Sequence, residues 1–220
     1  MANVLITGAN RGIGLALARE YQGRGDDVIA AVRRSSPELD ALGVRVETDV
    51  DVGSDDAVRS LTERLGDTPL DVLVCNAGML RIDSLDELDL ESVRQQIDVN
   101  AVGALRVVRA LLSNLERGSK IALITSQMGS LEDNTSGGYY GYRMSKAAMN
   151  MAGVCLARDL ERAGVPVGLY HPGYVKTDMN DGRGKITPEE SAAGLIARID
   201  ELSPERSGRF FRYDGTPIAF

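Results

Sequence analysis

Histidine occurs once, at His171, and cysteine twice, at Cys75 and Cys155. A catalytic zinc takes three protein ligands and a structural zinc takes four. One histidine and two distant cysteines match neither pattern, so no metal is expected. A Ser-His-Asp triad would need His171 beside suitable partners. Its place just before Pro172-Gly173 fits a structural role better. Both cysteines lie inside apolar runs, where buried free thiols are common, and nothing else indicates an oxidising compartment. No run approaches about 18 apolar residues, so no membrane span is expected. No basic segment precedes the first apolar run, so no signal peptide is expected. Basic residues are too few and too scattered for a nucleic-acid or anionic-lipid footprint: 25 Lys and Arg stand against 32 Asp and Glu, a net charge of −7. Linkers, low-complexity stretches and recurring periods are also missing. The expectation is one soluble, cytoplasmic domain over residues 1–220.

What is present is an alternation. Short apolar runs at Val4–Ile6, Val28–Val32, Val44–Val46, Val72–Cys75, Ile121–Ile124 and Val165–Tyr170 read as buried strands, with a last strand at Arg209–Tyr213. Near-continuous apolar runs suit a parallel sheet covered on both faces. Helical patterns lie between them at Gly12–Arg24, Ser54–Leu65, Leu90–Leu115 and Tyr139–Arg162. A further helix starts at Thr187-Pro188-Glu189-Glu190, where Thr187 caps, Pro188 fills the first turn and Glu190 completes a capping box. The pattern predicts an α/β fold, a Rossmann-type doubly wound parallel sheet, with the ligand at the strand C-termini.

The first strand runs into Thr7-Gly8-Ala9-Asn10-Arg11-Gly12-Ile13-Gly14, and a helix follows. Glycine permits the turn, lets backbone approach phosphate and allows close strand–helix packing. A helix N-terminus behind such a turn seats a pyrophosphate. An NAD site usually places an acid at the end of the second strand, for the ribose hydroxyls. Here that strand ends Ala31-Val32-Arg33-Arg34, with no acid, and Arg11 lies in the turn. Arginine's fork suits a 2′-phosphate, so NADP(H) is expected, with Arg33 as the main discriminator.

Tyr142 and Lys146 form Tyr-x-x-x-Lys, which stacks both side chains on one face of a helix. An ammonium beside a phenol favours phenolate and lowers an ordinary pKa of about 10. Tyr139 and Tyr140 lack a lysine at the same spacing. Tyr142 is therefore the candidate acid/base.

With these motifs in order along it, the chain resembles the short-chain dehydrogenase/reductase family over almost its whole length. Thr7 to Gly14 fits the family's Gly-rich turn, and Asn76-Ala77-Gly78 its N-A-G after the fourth strand. Asp98-Val99-Asn100 fits the segment that supplies a catalytic asparagine, and Ser126 the catalytic serine after the fifth strand. His171-Pro172-Gly173-Tyr174-Val175-Lys176-Thr177 fits the segment under the nicotinamide. The resemblance implies a catalytic group of Asn100, Ser126, Tyr142 and Lys146. Tyr142 exchanges the proton, Ser126 positions the carbonyl oxygen, Lys146 holds the nicotinamide ribose, and Asn100 supports a water relay to Lys146. It implies cofactor contacts from Gly8, Asn10, Arg11, Gly12, Ile13, Gly14 and Arg33, from Asp49 and Val50 at the adenine, and from Asn76, Ala77 and Gly78. Tyr142, Lys146, Pro172, Gly173, Val175 and Thr177 complete that set.

The interval from Ser126 to Tyr142 is a little longer than in many members, and the extra residues near Asp133–Gly138 are expected to form a loop at the pocket mouth. Between Thr177 and Pro188 lies a small glycine-rich lid, expected to be mobile. Asn134 to Tyr140, His171 to Met179 and the ending Phe210 to Ile218 resemble the C-factor and sniffer-type carbonyl reductases. The resemblance implies NADPH-dependent reduction of ketones or aldehydes, reversible toward alcohols. Met79, Gln127, Met128, Tyr139, Tyr174 and Met179 are the expected pocket walls, for a mainly apolar small carbonyl or alcohol substrate. Two other readings stay open. One is a 3-oxoacyl thioester reductase with a basic entrance from Arg81, Arg143, Arg183 and Lys185. The other is an NADP(H)-binding signalling protein with little turnover, against which the complete catalytic group argues. The long helices serve as dimer faces in many relatives, which makes a homodimer the expectation over a monomer.

Overall fold

The computed structural model describes residues 1–220. Seven strands form one sheet: β1 Asn3–Thr7, β2 Asp27–Ala31, β3 Arg45–Glu47, β4 Leu70–Cys75, β5 Leu115–Ile124, β6 Val167–His171 and β7 Phe210–Arg212. Their order is β3-β2-β1-β4-β5-β6-β7, and every pair is parallel. The helices are α1 Gly12–Gly23, α2 Pro37–Asp40, α3 Asp55–Leu65, α4 Leu90–Ile97, α5 Gly103–Ala110, α6 Tyr140–Asp159 and α7 Pro188–Asp200.

Strand periodicity sorts side chains into two cores. Val4, Ile6, Val72, Val74, Ala122 and Ile124 meet α1 and α7 through Leu17, Tyr21, Leu195 and Ile199. Leu5, Leu73, Ile121 and Leu123 point the other way, to Val58 and Leu61 of α3, Val107 and Val108 of α5 and Met149 of α6. Successive residues serve opposite faces, so a one-residue slip would exchange the two cores. Full burial of each such aliphatic side chain contributes about 1.5–3 kcal/mol. Chain order reverses between β1 and β4, which makes a crevice at their C-terminal ends.

Four sequence expectations shift. The helix expected over Leu90–Leu115 breaks into α4, a π turn at Asp98–Val102, α5 and a 3-10 turn at Leu112–Asn114. β5 starts at Leu115, pairs Leu115 with Leu70, and then shifts register before Lys120 meets Val72. β6 begins after Pro166, because the Val165 amide is turned back to the Leu160 carbonyl at 3.3 Å. Cys155 is exposed on α6, whereas Cys75 is buried in β4; both thiols are free.

Candidate active site

The crevice at the switch point is a cleft of about 660 Å³. Its floor is the Gly-rich turn. Gly8 and Gly12 have φ of 69° and 53°, in the left-handed region that disfavours side chains. At Gly14 a Cβ would lie 2.3 Å from the Gly8 carbonyl oxygen and 2.6 Å from Asn76 Nδ2. Asn76 Nδ2 donates to the Thr7 and Gly8 carbonyls at 3.0 and 3.2 Å, and the Thr7 hydroxyl accepts the Asn76 and Ala77 amides at 3.0 Å. The ends of β1 and β4 are thus tied beneath the turn, and the Asn76 side chain is used in doing so.

Of the candidate cofactor residues, Gly8, Asn10, Arg11, Gly12, Ile13, Gly14, Arg33, Val50, Asn76, Ala77, Gly78 and Thr177 line this cleft. Met79 and Met179 line it too. Arg33 is exposed and makes no side-chain ion pair, and its carbonyl accepts the Asp49 amide at 3.2 Å. Arg11 pairs instead with Asp178 at 3.2 Å, bridging the Gly-rich turn to the segment between Thr177 and Pro188. Asp49 itself lies off the cleft wall, at φ 59°; Asp51, two residues on, takes a place in the wall. Pro172, Gly173 and Val175, also candidate cofactor residues, do not line the cleft. The Pro172 carbonyl accepts the Ser191 hydroxyl at 2.7 Å, and Val175 bridges to Ile186. That bridge ties the two ends of the segment between Thr177 and Pro188, with Lys185 donating to the Tyr174 carbonyl at 2.7 Å through its amide.

Gly78 joins the cleft to the acid–base group. A Cβ there would lie 3.1 Å from Asn100 Oδ1 and 3.7 Å from Lys146 Nζ. Asn100, Ser126, Tyr142 and Lys146 are all buried. The π turn turns Asn100 inward, where its side chain bonds the Met79 amide and carbonyl at 2.7 and 2.8 Å and the Ser145 hydroxyl at 2.9 Å. No polar atom of that amide side chain is left without a partner. Lys146 Nζ donates to the Ile124 carbonyl at 2.9 Å and lies 5.7 Å from the Tyr142 ring centroid.

The expected lowering of the Tyr142 phenol by Lys146 is not what the fold produces. Burial raises the phenol above its ordinary value, with a hydrogen bond to the Ser126 hydroxyl acting against that rise. Burial also lowers the Lys146 ammonium, to about 8. Desolvation penalises both charged forms, and one of the three ammonium donors is taken by the Ile124 carbonyl. Burial likewise pushes His171 down to about 4, helped by Arg212, and its Nδ1 has no partner.

The remaining pocket candidates are placed apart from the cleft wall. Gln127 and Met128 form a 3-10 turn after Ser126, and Gln127 donates to Asp133 at 3.0 Å. Tyr139 precedes α6 at φ 53°, and Tyr174 is 50% exposed. Of the basic entrance set, Arg143 is spent on the Gly138 and Met128 carbonyls and on the Ser136 hydroxyl, and Arg183 pairs with Asp181. Arg81 lines the cleft without an ion-pair partner and Lys185 does not line it; Lys176, outside that set, lines the cleft, also without an ion-pair partner.

A doubly wound sheet, a glycine cradle at its switch point and a buried tyrosine–lysine couple beside that cradle define a Rossmann-type oxidoreductase. The family model for short chain dehydrogenase matches residues 2–186, and the chain belongs to that family. A 1-hydroxy-2-glutathionyl-2-methyl-3-butene dehydrogenase of Rhodococcus sp. (strain AD45) is 46% identical, covering 98% of each chain. C-signal of Myxococcus xanthus is 44% identical over 68% of this chain and 92% of its own. Among solved structures, the carbonyl reductase Sniffer of D. melanogaster superposes with a TM-score of 0.92 at 27% identity, covering all of both chains. A carbonyl reductase from Pseudomonas aeruginosa PAO1 in complex with NADP does so with a TM-score of 0.85 at 36% identity, also over all of both. The sniffer and C-signal branch expected from the sequence is the one these relatives occupy. No helix is long and apolar enough to cross a membrane.

Proposed function

We propose that the protein is an NADPH-dependent reductase of small ketones and aldehydes, reversible toward alcohols and working in the cytoplasm. The observation that carries the reading is Gly78, which stands on the cleft wall and within reach of both Asn100 and Lys146. The glycine cradle fits a dinucleotide: Gly8 and Gly12 take the left-handed backbone of the turn, and the missing Cβ at Gly14 lets α1 start hard against the Gly8 carbonyl and Asn76, with the turn and the helix N-terminus on the cleft. Gly8, Gly12, Gly14 and the N-terminus of α1 would hold the pyrophosphate, and Arg33 the 2′-phosphate. When bound, the nicotinamide supplies the hydride.

The chain supplies the proton and the geometry. A phenol raised by burial stays protonated at neutral pH, so Tyr142 is a donor to a carbonyl oxygen. The Ser126 hydroxyl, beside that phenol, holds the same oxygen in place. Asn100 fixes the backbone of Met79, and with it the wall that faces the substrate. Exposed Leu105 on α5 and Met151 on α6 support a homodimer through these helices.

The whole-length relation to the Rhodococcus enzyme favours a second reading, oxidation of an alcohol that carries a glutathionyl group. Arg81 and Lys176 would meet its carboxylates. A turnover screen decides between them: simple ketones with NADPH in one arm, glutathionyl alcohols with NADP⁺ or NAD⁺ in the other. Turnover of simple ketones only, with NADPH, is the expected result. Turnover of the conjugates alone would move the assignment to the second reading, and no turnover in either arm would contradict both.

A further inference from the structure

The loop between β4 and α4 has its burial inverted. Ile82 and Leu85 are 67% and 70% exposed, while the carboxylate residue between them, Asp83, is only 8% exposed. Apolar packing therefore does not hold this loop. Polar ties do. Asn100 bonds the Met79 amide and carbonyl, and Gln96, fully buried on α4, accepts the Arg81 amide at 2.9 Å. Asp83 makes the last tie, and it goes to the helix that carries Tyr142 and Lys146.

Helix α6 begins without a cap of its own. Tyr139 precedes it in the left-handed region, and its side chain bonds no helix amide. The first amides of a helix need acceptors. Asp83 provides them from the other loop: its Oδ1 accepts the Tyr140 amide, its Oδ2 accepts the Gly141 amide at 3.0 Å, and its carbonyl accepts the Tyr139 amide at 3.0 Å. A carboxylate at this end also complements the helix dipole. Gly141 lets α4 come this close, since a Cβ there would lie 2.4 Å from Gln96 Nε2. Tyr142 follows immediately, so the height of its phenol is set where Asp83 grips.

We infer that Asp83 is a positioning residue for the reaction: it clamps the first turn of α6 to the loop whose other end lines the cofactor cleft, and so fixes Tyr142 relative to that cleft. The inference rests on the proposed role of Tyr142. A misplacement of about 1 Å can cost about a hundredfold in rate.

The test compares the full-length wild type with Asp83→Ala and Asp83→Asn. The readouts are kcat, KM, NADPH affinity, thermal midpoint and amide hydrogen exchange over the first turns of α6. Asp83→Ala is expected to lower kcat by about tenfold to a hundredfold, with NADPH affinity unchanged. Exchange over Tyr140–Lys146 should rise, and the midpoint should fall by only a few degrees. Asp83→Asn keeps one amide acceptor and should recover much of the lost kcat. A lowered midpoint with unchanged kcat would make Asp83 a structural cap only and would overturn the inference. Should the alanine variant not fold, Asp83→Asn alone decides: a kcat lowered by less than the alanine estimate, with raised exchange over Tyr140–Lys146 and full cofactor affinity, is expected, and raised exchange with unchanged kcat would overturn the inference. Should the wild type turn over no carbonyl, the reading of Tyr142 fails, while unchanged exchange in the variants would separately remove the clamp.

Discussion

The Lys146 ammonium stands 5.7 Å from the centroid of the Tyr142 ring and donates to the Ile124 carbonyl at 2.9 Å. Both groups are buried, and burial moves them in opposite directions: the phenol up, the ammonium down to about 8. Near neutral pH each still carries its proton. That is the state in which a tyrosine can protonate a carbonyl oxygen and a lysine can hold a ribose hydroxyl.

Removal of the phenol hydroxyl tests the acid directly. Tyr142→Phe should lower kcat by about 10²–10⁴-fold, while NADPH still binds, because only the proton donor is deleted. Steady-state kinetics with a cofactor fluorescence titration checks both. More than about a tenth of wild-type kcat would shift attention to Tyr139 or Tyr140.

Lys146 makes a prediction about stability. The unfolded chain keeps this proton up to about 10.5, and the folded chain only up to about 8. Between those values the unfolded state binds more protons, so this group makes stability rise with pH across the window. Below pH 8 the fold carries the full cost of the desolvated charge, on the order of 3 kcal/mol for such a shift. Lys146→Met should therefore be more stable than wild type at pH 7, and the difference should shrink as pH approaches 10.5. Denaturant unfolding at several pH values measures it. A constant difference across that range would mean that the ammonium is not desolvated.

Much of this site was legible in the sequence. The Gly-rich turn, Asn76-Ala77-Gly78 and the tyrosine–lysine spacing each follow from local chemistry, and the fold brings them together. The break at Asp98–Val102 was not legible, because a π turn arises when a buried Asn100 meets the backbone of a distant loop. Asp83 was missed for the same reason: its partners are 57 and 58 residues away. Asp51 was displaced from notice by Asp49, whose left-handed backbone takes it off the wall. Helix α2 did carry a signal. Ser36 caps it and Pro37 opens it, the same arrangement that marks Thr187 and Pro188. Arg143 reads in the sequence as a candidate for a basic entrance, yet its guanidinium bonds the Gly138 and Met128 carbonyls and the Ser136 hydroxyl.

Gly14 should tolerate no side chain. In Gly14→Ala the new methyl meets the Gly8 carbonyl at 2.3 Å and Asn76 Nδ2 at 2.6 Å, both fixed atoms. Overpacking of this kind costs about 1–3 kcal/mol, and here it also deforms the cradle. Cofactor affinity should fall together with the thermal midpoint. A variant with wild-type affinity would show that the turn is not the pyrophosphate seat.

Arg33 should decide between the two cofactors. It is exposed on the cleft wall without an ion pair, whereas Arg11 is held by Asp178. A hydrogen bond to a charged group contributes about 1.5–3 kcal/mol, or roughly 10- to 150-fold in affinity. Arg33→Ala should lose that factor in kcat/KM for NADPH and little for NADH. Equal losses would mean that Arg33 supports the adenosine or the fold, and a wild type that prefers NADH would reverse the cofactor assignment.

The central claim is hydride transfer to a carbonyl carbon with Tyr142 as the proton donor. Its most direct test incubates wild type and Tyr142→Phe with deuterium-labelled NADPH and a panel of ketones and aldehydes, and locates the label by mass spectrometry and NMR. The account predicts deuterium on the carbinol carbon with the wild type, and a product yield from Tyr142→Phe lower by about 10²–10⁴-fold. Labelled alcohol formed equally by both proteins, or by neither, would contradict it.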